Sequence, residues 1–343
     1  MPAQGTQTDL NAITACKPGL IFRYNPAMSD IPPPLLVTGA NGFVGQALCK
    51  LAQARGADLH TATRTPHAEL PGRNFTTGDM SSSTNWQAAL ASRKVVVHLA
   101  ARVHVMQEQA VNPLAEFRNA NVATTLHLAR AAASAGVSRF IYLSSIKVNG
   151  EATLPGHPFR ESDTPAPQDA YAVSKWEAEQ GLTAIARETG MEVVILRPPL
   201  MYGPGVKGNF ERLARIASLP LPLASINNRR DLLHVDNMAD AILLCARHPA
   251  AANQTFLVCD GKAVSTPELI RHLAEQNGQH SRLWPFPPML LQLAARLIGK
   301  QAVMDRLAGS LELDCSKIRQ MLGWQSTAHD HASRLPGRIS NRP

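Results

Sequence analysis

Short apolar runs alternate with longer amphipathic stretches along most of this chain. "LLVT" opens at Leu35, "DLHTATR" at Asp58, "KVVVHLAA" at Lys94, "SRFIYLSS" at Ser138 and "MEVVILRPP" at Met191. Each apolar run is four to eight residues long and is bounded by Gly, Pro, Asn or Ser. That length and bounding predict strands buried on both faces. Between them lie helical patterns. One follows the glycines after Thr38, one covers roughly Pro113 to Ala135, and "YAVSKWEAEQGLTAIARETG" runs from Tyr171 to Gly190. Strands alternating with helices predict an α/β fold with a doubly wound parallel sheet. No internal repeat interrupts the alternation.

Both ends lack this periodicity. Residues 1–30 have neither a helical nor a strand pattern and no targeting core, and "MSDIPPPLLVTG" from Met28 reads as a natural start of a domain. The expected organisation is a disordered extension over 1–33, a dinucleotide-binding region mainly over 34–200, a smaller region mainly over 201–330 with some chain crossing between the two, and a flexible tail over 331–343. "STPELIRHLAEQNG" from Ser265 opens with a capping signal and belongs to the later helices. "PPMLLQLAARLIG" (287–299) is the longest apolar run near the C-terminus. It is broken by Gln292 and Arg296 and is too short to span a bilayer, so it is expected as a helix packed on a core.

Composition narrows the classes. With 45% hydrophobic and 17% charged residues, 343 residues can bury a sizeable core. The net charge of +8 is dispersed and aromatic residues total 5%, which argues against a nucleic-acid module. The five cysteines, Cys16, Cys49, Cys245, Cys259 and Cys315, form no C-x-x-C and no zinc-like spacing. Reduced thiols, a cytoplasmic location and no metal are expected.

The chemistry begins after the first strand. Gly39, Gly42 and Gly45 form G-x-x-G-x-x-G between strand and helix. Gly39 suits a tight turn, Gly42 the close approach of a pyrophosphate, and Gly45 close packing of the helix. The helix N-terminus then offers free N–H groups to phosphate. The second strand ends at Thr63, Arg64 and Thr65 without a carboxylate for a ribose 2′-hydroxyl. An arginine there suits a 2′-phosphate and tilts the expectation towards NADP; a surface arginine in an NAD enzyme is the alternative. Asp79 is a candidate for the adenine edge, or a turn residue. The small Ala100 and Ala101 let a cofactor lie across the end of their strand. Ser144 and Ser145 end the next one, and Tyr171 precedes Lys175 by one helical turn.

In this order and spacing, the glycine turn, "HLAA", Ser145 and "YAVSK" resemble the extended short-chain dehydrogenase/reductase family. "RPPLMYGPG" and "RRDLLHVDNMADAI" are similar to its epimerase/dehydratase group, and the resemblance covers about Leu35 to Trp324. It implies a Rossmann fold with a smaller C-terminal part that holds a sugar nucleotide. It implies a catalytic set of Ser145, Tyr171 and Lys175. It also implies a dinucleotide held by Gly39, Asn41, Gly42, Phe43, Val44, Gly45, Arg64, Asp79, Met80, Leu99, Ala100, Ala101, Asn121 and Pro198, together with Tyr171 and Lys175. Ser145, Asn209 and Arg230 would contact the substrate, with Arg230 on its diphosphate.

The chemistry of these residue types agrees. A free phenol, with pKa about 10, is a poor base near neutrality. Lys175 and an oxidised nicotinamide are expected to bring the Tyr171 phenol towards working pH, while Ser145 steadies the substrate oxygen. The dehydratase branch carries an acidic pair after the serine position; here stand Ile146 and Lys147, which disfavours a 4,6-dehydratase. A 4-keto-sugar reductase of surface-polysaccharide synthesis and a 4-epimerase with retained NAD stay open, with the reductase placed first. A dinucleotide-binding sensor without turnover is the reading from another class. Val148-Asn149-Gly150 departs from the family's V-Y-G. Tyr202 and Pro199 are expected at the nicotinamide pocket or in plain packing. Asp236 and Asp240 are expected as helix caps or decoration, and His98, His104 and His234 as structural histidines. The resemblance also implies a homodimer, for which the helices near 113–135 and 169–189 are the candidates.

Overall fold

The computed structural model describes residues 31–103, 112–206, 213, 215–276 and 278–327. The 331–343 tail, all but the last three residues of the 1–33 extension, Asn209 and His104 therefore lie outside the described residues. Seven parallel strands form the main sheet: β1 (Leu35–Thr38), β2 (Leu59–Thr63), β3 (Arg73–Thr76), β4 (Val95–His98), β5 (Arg139–Leu143), β6 (Glu192–Arg197) and β10 (Thr255–Leu257). Their order is β10-β6-β5-β4-β1-β2-β3. The registers Leu35↔Leu59 and Leu35↔Val95 put β2 and β4 on opposite sides of β1. The strand order therefore reverses at β1/β4, and the crevice beyond their carboxyl ends is where such sheets bind ligands.

β1 and β4 are buried along their whole length, as helices on both faces require. One apolar layer joins Val37 and Val97 to Leu48 of α1 (Phe43–Ala54) and to Ile242 of α6 (Val235–Arg247). The opposite layer joins Leu36 and Val96 to Leu128 of α4 (Thr124–Ser134) and Leu182 of α5 (Ala170–Thr189). The chain thus returns to the large sheet at α6 and β10 after leaving it at β6. Before α4, α3 (Pro113–Phe117) runs into a π-helical segment over Arg118–Ala123. The stretch expected as one helix over 113–135 is a helix with this wide turn inside it.

A separate apolar cluster gathers Tyr202, Leu223, Leu232, Ile270 and Leu273. It contains the short pair β7 (Leu200–Tyr202) and β9 (Leu232–His234), and α7 (Thr266–Gln276). β8 (Pro220–Leu221) pairs with β11 (Arg282–Leu283) beside it. Beyond these come α8 (Pro288–Leu297), α9 (Gln301–Ala308) and α10 (Ser316–Leu322). Two expectations are corrected. The segment 287–299 does form a helix, α8, but none of its residues is buried; it touches the cluster through the half-buried Leu291 and Ala295. Its apolar residues outnumber what one narrow contact stripe can cover. The cysteines are not all reduced: Cys259, after β10, is bonded to Cys315, just before α10, with 6.2 Å between their Cα atoms. Folding brings together two positions 56 residues apart, which spacing alone does not reveal. Cys49 and Cys245 are free and buried.

Candidate active site

The glycine turn closes the carboxyl end of β1. Gly39 has φ +68°, and a Cβ there would stand 2.8 Å from the Ala100 nitrogen, so the loop after β4 passes directly over it. At Gly45 a Cβ would lie 2.2 Å from the Gly39 carbonyl oxygen and 2.7 Å from two Ala40 backbone atoms. These two glycines serve the fold. Gly42 is different: it is exposed, its φ is −77°, and a Cβ would meet only the Gly39 carbonyl oxygen, at 3.1 Å. It is also the N-cap of α1 and gives the first turn no side-chain cap. Bare N–H groups over an open, side-chain-free surface fit a pyrophosphate. We expect Gly45→Ala to lower stability by about 3 kcal/mol, because backbone rather than a flexible side chain must move, and to abolish dinucleotide binding. Thermal melting and fluorescence titration with NAD check this; an unchanged melting temperature and affinity would contradict it.

Arg64 and Asp79 meet at the far end of this crevice, with 3.6 Å between charged atoms, and both are exposed. Met80 packs on the α4/α5 layer, and Leu99 on the α1/α6 layer. His98 is buried between Thr38 (2.7 Å from Nδ1) and Thr125 (2.9 Å from Nε2). Thr125 donates its own hydroxyl to the Asn121 carbonyl, so it accepts from His98 Nε2–H, and Nδ1 accepts from Thr38. Burial depresses its pKa to about 3, with a smaller contribution from Lys175; this is a neutral structural histidine. Asn121 lies in the π-helical segment. Its amide donates to the Arg102 carbonyl and to Ser174, and its oxygen accepts from the Arg102 N–H. It therefore ties the loop after β4 to α5.

Ser145 and Tyr171 are linked through the start of α5. Asp169 caps that helix by accepting from the Ala172 N–H at 2.7 Å, and its other oxygen takes Lys147 at 2.5 Å. Lys147 follows Ser145 by two residues, and its N–H donates to the serine hydroxyl at 3.3 Å. Phe117 packs edge-on against the Tyr171 ring, at 6.1 Å between centroids. Lys175 is buried, donates to the Leu143 carbonyl at 2.9 Å, and sits over the rings of Tyr142 (4.6 Å) and Tyr171 (5.8 Å).

The chain's own groups do not supply the lowering expected for the Tyr171 phenol from Lys175 together with an oxidised nicotinamide. Burial, and secondarily the Asp169 charge, push the Tyr171 phenol up rather than down. Burial also lowers Lys175 to about 7, against the opposing pull of Glu179.

Beneath Ser144 and Lys175 lies a network that sequence reading missed. Glu179 is one turn beyond Lys175 and 2% exposed. It accepts from Arg197 Nε at 3.0 Å and from Nη2 at 2.5 Å, and Ser144 donates to it as well. Arg197 Nη1 continues to the Asn149 side-chain oxygen at 2.9 Å, and the Asn149 amide donates to the Arg160 carbonyl. Asn149, the departure from V-Y-G, is thus a buried tie. The signals were a Glu at i+4 from Lys175 and an arginine closing an apolar strand.

Farther along the chain, Arg230 Nη1 donates to the carbonyls of Arg306 (3.0 Å) and Gly309 (2.7 Å), leaving Nε and Nη2 outside those bonds. Arg229 pairs with Glu312, as a surface charge does. Tyr202 is fully buried and donates to Asp260 at 2.9 Å, so it is a packing residue. Asp240 decorates α6 by pairing with Arg55. The buried His234 caps α6 by accepting from the Asp236 N–H. Among the described residues no cluster of His, Cys, Asp or Glu could hold a metal, and no helix is long and apolar enough to cross a membrane.

Known proteins are similar to this chain in sequence and in fold. A protein from Vibrio cholerae named UDP-glucose 4-epimerase is 45% identical over 300 residues, which cover 86% of this chain and 91% of that one. The crystal structure of UDP-N-acetylglucosamine 4-epimerase from Bacillus cereus has the same fold, with TM-score 0.71, 22% identity, and coverage of 88% and 96%. A structure of MoeE5 in complex with UDP-glucuronic acid and NAD matches with TM-score 0.70 and 27% identity, covering 87% and 95%. The profile described as the NAD dependent epimerase/dehydratase family matches residues 35–259. With Rossmann sheet, glycine turn and profile in agreement, this chain belongs to the NAD dependent epimerase/dehydratase family.

Proposed function

We propose that the chain is a UDP-sugar 4-epimerase that keeps NAD bound and uses Ser145, Tyr171 and Lys175 at C4 of the hexose. The observation that carries this reading is the fate of the charges beside Ser145. Ile146 is buried, and Lys147 is clamped between Glu151 (2.8 Å) and Asp169 (2.5 Å). Both carboxylates are engaged by the same ammonium, Glu151 also faces Arg306 at 3.8 Å, and Asp169 caps α5. Neither is a free base for a carbon next to a ketone, so elimination of water is not supported and chemistry confined to C4 is. The 45% identity to a protein named UDP-glucose 4-epimerase supports placing epimerisation ahead of reduction, the reverse of the order drawn from sequence.

A bound nicotinamide dinucleotide supplies hydride acceptance and return. The chain's residues manage the proton and the sugar. Tyr171 takes the proton from O4 and gives it back, Ser145 donates to the same oxygen, and Lys175 holds positive charge near the phenol. In this reading the substrate is held by Arg230 and Asn209. The dinucleotide is held by the glycine turn with Asn41, Phe43 and Val44, by Arg64, Asp79, Met80 and Leu99, and by Ala100, Ala101 and Pro198. Asn121 acts by fixing the loop after β4.

The test is purified protein given UDP-glucose or UDP-N-acetylglucosamine with no added dinucleotide. We expect the C4 epimer, and NAD released on denaturation. The exposed Arg64, suited to a 2′-phosphate, favours the reductase as second reading. NADPH consumed with a UDP-4-keto sugar, without epimerisation, would establish that reading instead. Dinucleotide binding with no turnover of any sugar nucleotide would leave a sensor.

A further inference from the structure

α8 presents a face that no other described element covers. Met289 is 80% exposed, Leu290 51%, Leu293 55%, Leu297 80% and Ile298 71%. Met289, Leu293 and Leu297 recur every fourth residue and so form one stripe; Leu290 and Ile298 widen it. Trp284, 44% exposed, stands just before the helix, and Val303 of α9 just after it. Patches of this kind mark interaction sites.

Charge says which partner fits. From residue 276 to residue 304 the sequence contains no Asp or Glu. Arg282, Arg296 and Lys300 flank the stripe, all exposed and without an ion pair among the described residues. A second copy packed on this face would set Arg296 and Lys300 against their own counterparts, with no carboxylate in the segment to pair them. An anionic lipid surface offers both things the face lacks: an apolar layer for the leucines and negative charge for the cations. Aromatic residues such as Trp284 favour that boundary. At ten residues α8 is about 15 Å long, enough to lie in the interface and too short to cross it.

We infer that α8 and its flanks are a peripheral membrane-docking surface for anionic lipid. The test is co-sedimentation of the full chain with phosphatidylcholine vesicles with and without about 30 mol% phosphatidylglycerol. We expect binding to the anionic vesicles that falls with salt and is absent on neutral ones. Leu293→Asp with Leu297→Asp, and separately Lys300→Glu, should each weaken partition at least about tenfold. Both should keep the wild-type melting temperature, because the replaced side chains are exposed. No binding to anionic vesicles, or equal binding to neutral ones, overturns the inference. So does a solution dimer that the leucine substitutions dissociate, which would make a second copy the occupant. Sugar-nucleotide turnover does not enter these readouts, so the inference and the proposed activity fail separately.

Discussion

Tyr171→Phe should lower turnover by about three orders of magnitude, within the range general acid–base groups contribute, while leaving dinucleotide affinity within about threefold. The ring stays, so its edge contact with Phe117 and the nearby Lys175 ammonium are kept; only the group that moves the proton is lost. Steady-state kinetics and an NAD titration on the same preparation separate the two effects. Near-normal turnover would remove Tyr171 from the chemistry. A parallel loss of NAD affinity would mean that the phenol holds the cofactor instead. Because burial and Asp169 already push the phenol up, removing the nearby cation should worsen matters. Lys175→Met should move the activity profile to higher pH, since the phenolate then forms only in more alkaline solution.

Arg197→Met is the second large effect, and it acts on stability. The arginine and Glu179 are 4% and 2% exposed in their side chains, and the substitution leaves the carboxylate buried without its partner. Breaking such a pair from one side costs about 3–5 kcal/mol. The pH dependence has a definite sign. The stranded carboxylate is a buried, unpaired charge, so lower pH, which neutralises it, should shrink the deficit. Adding Glu179→Gln should recover much of the loss, because the stranded charge disappears. Denaturant unfolding of the single and double variants at two pH values measures this. A single variant as stable as wild type, or a double variant worse than the single, would contradict the role given to the pair.

Much of the fold could be read from the chain. The apolar runs at Leu35, Leu59, Val95, Arg139 and Glu192 became parallel strands because continuous apolar runs fit a sheet covered on both faces. Gly39 and Gly45 have their expected structural tasks because a glycine's reason is local. The parts that stayed hidden depend on partners distant in sequence. Glu179 and Arg197 look like an ordinary helix glutamate and a strand-end arginine until folding buries them together. Cys259 and Cys315 carry no spacing signal. The pattern in 287–299 predicts a helix but not whether the fold supplies a surface to cover it, and it covers only Leu291 and Ala295. The phenol's surroundings stayed hidden because sequence shows a lysine one turn away but not how dry that lysine is.

A crystal structure of the chain with NAD and UDP-glucose bound tests the central claim most directly. The account predicts the Tyr171 hydroxyl and the Ser145 hydroxyl both within about 3 Å of the sugar's O4, with C4 facing the nicotinamide. A phenol turned away from O4, or a sugar whose C4 lies far from the nicotinamide ring, would contradict it.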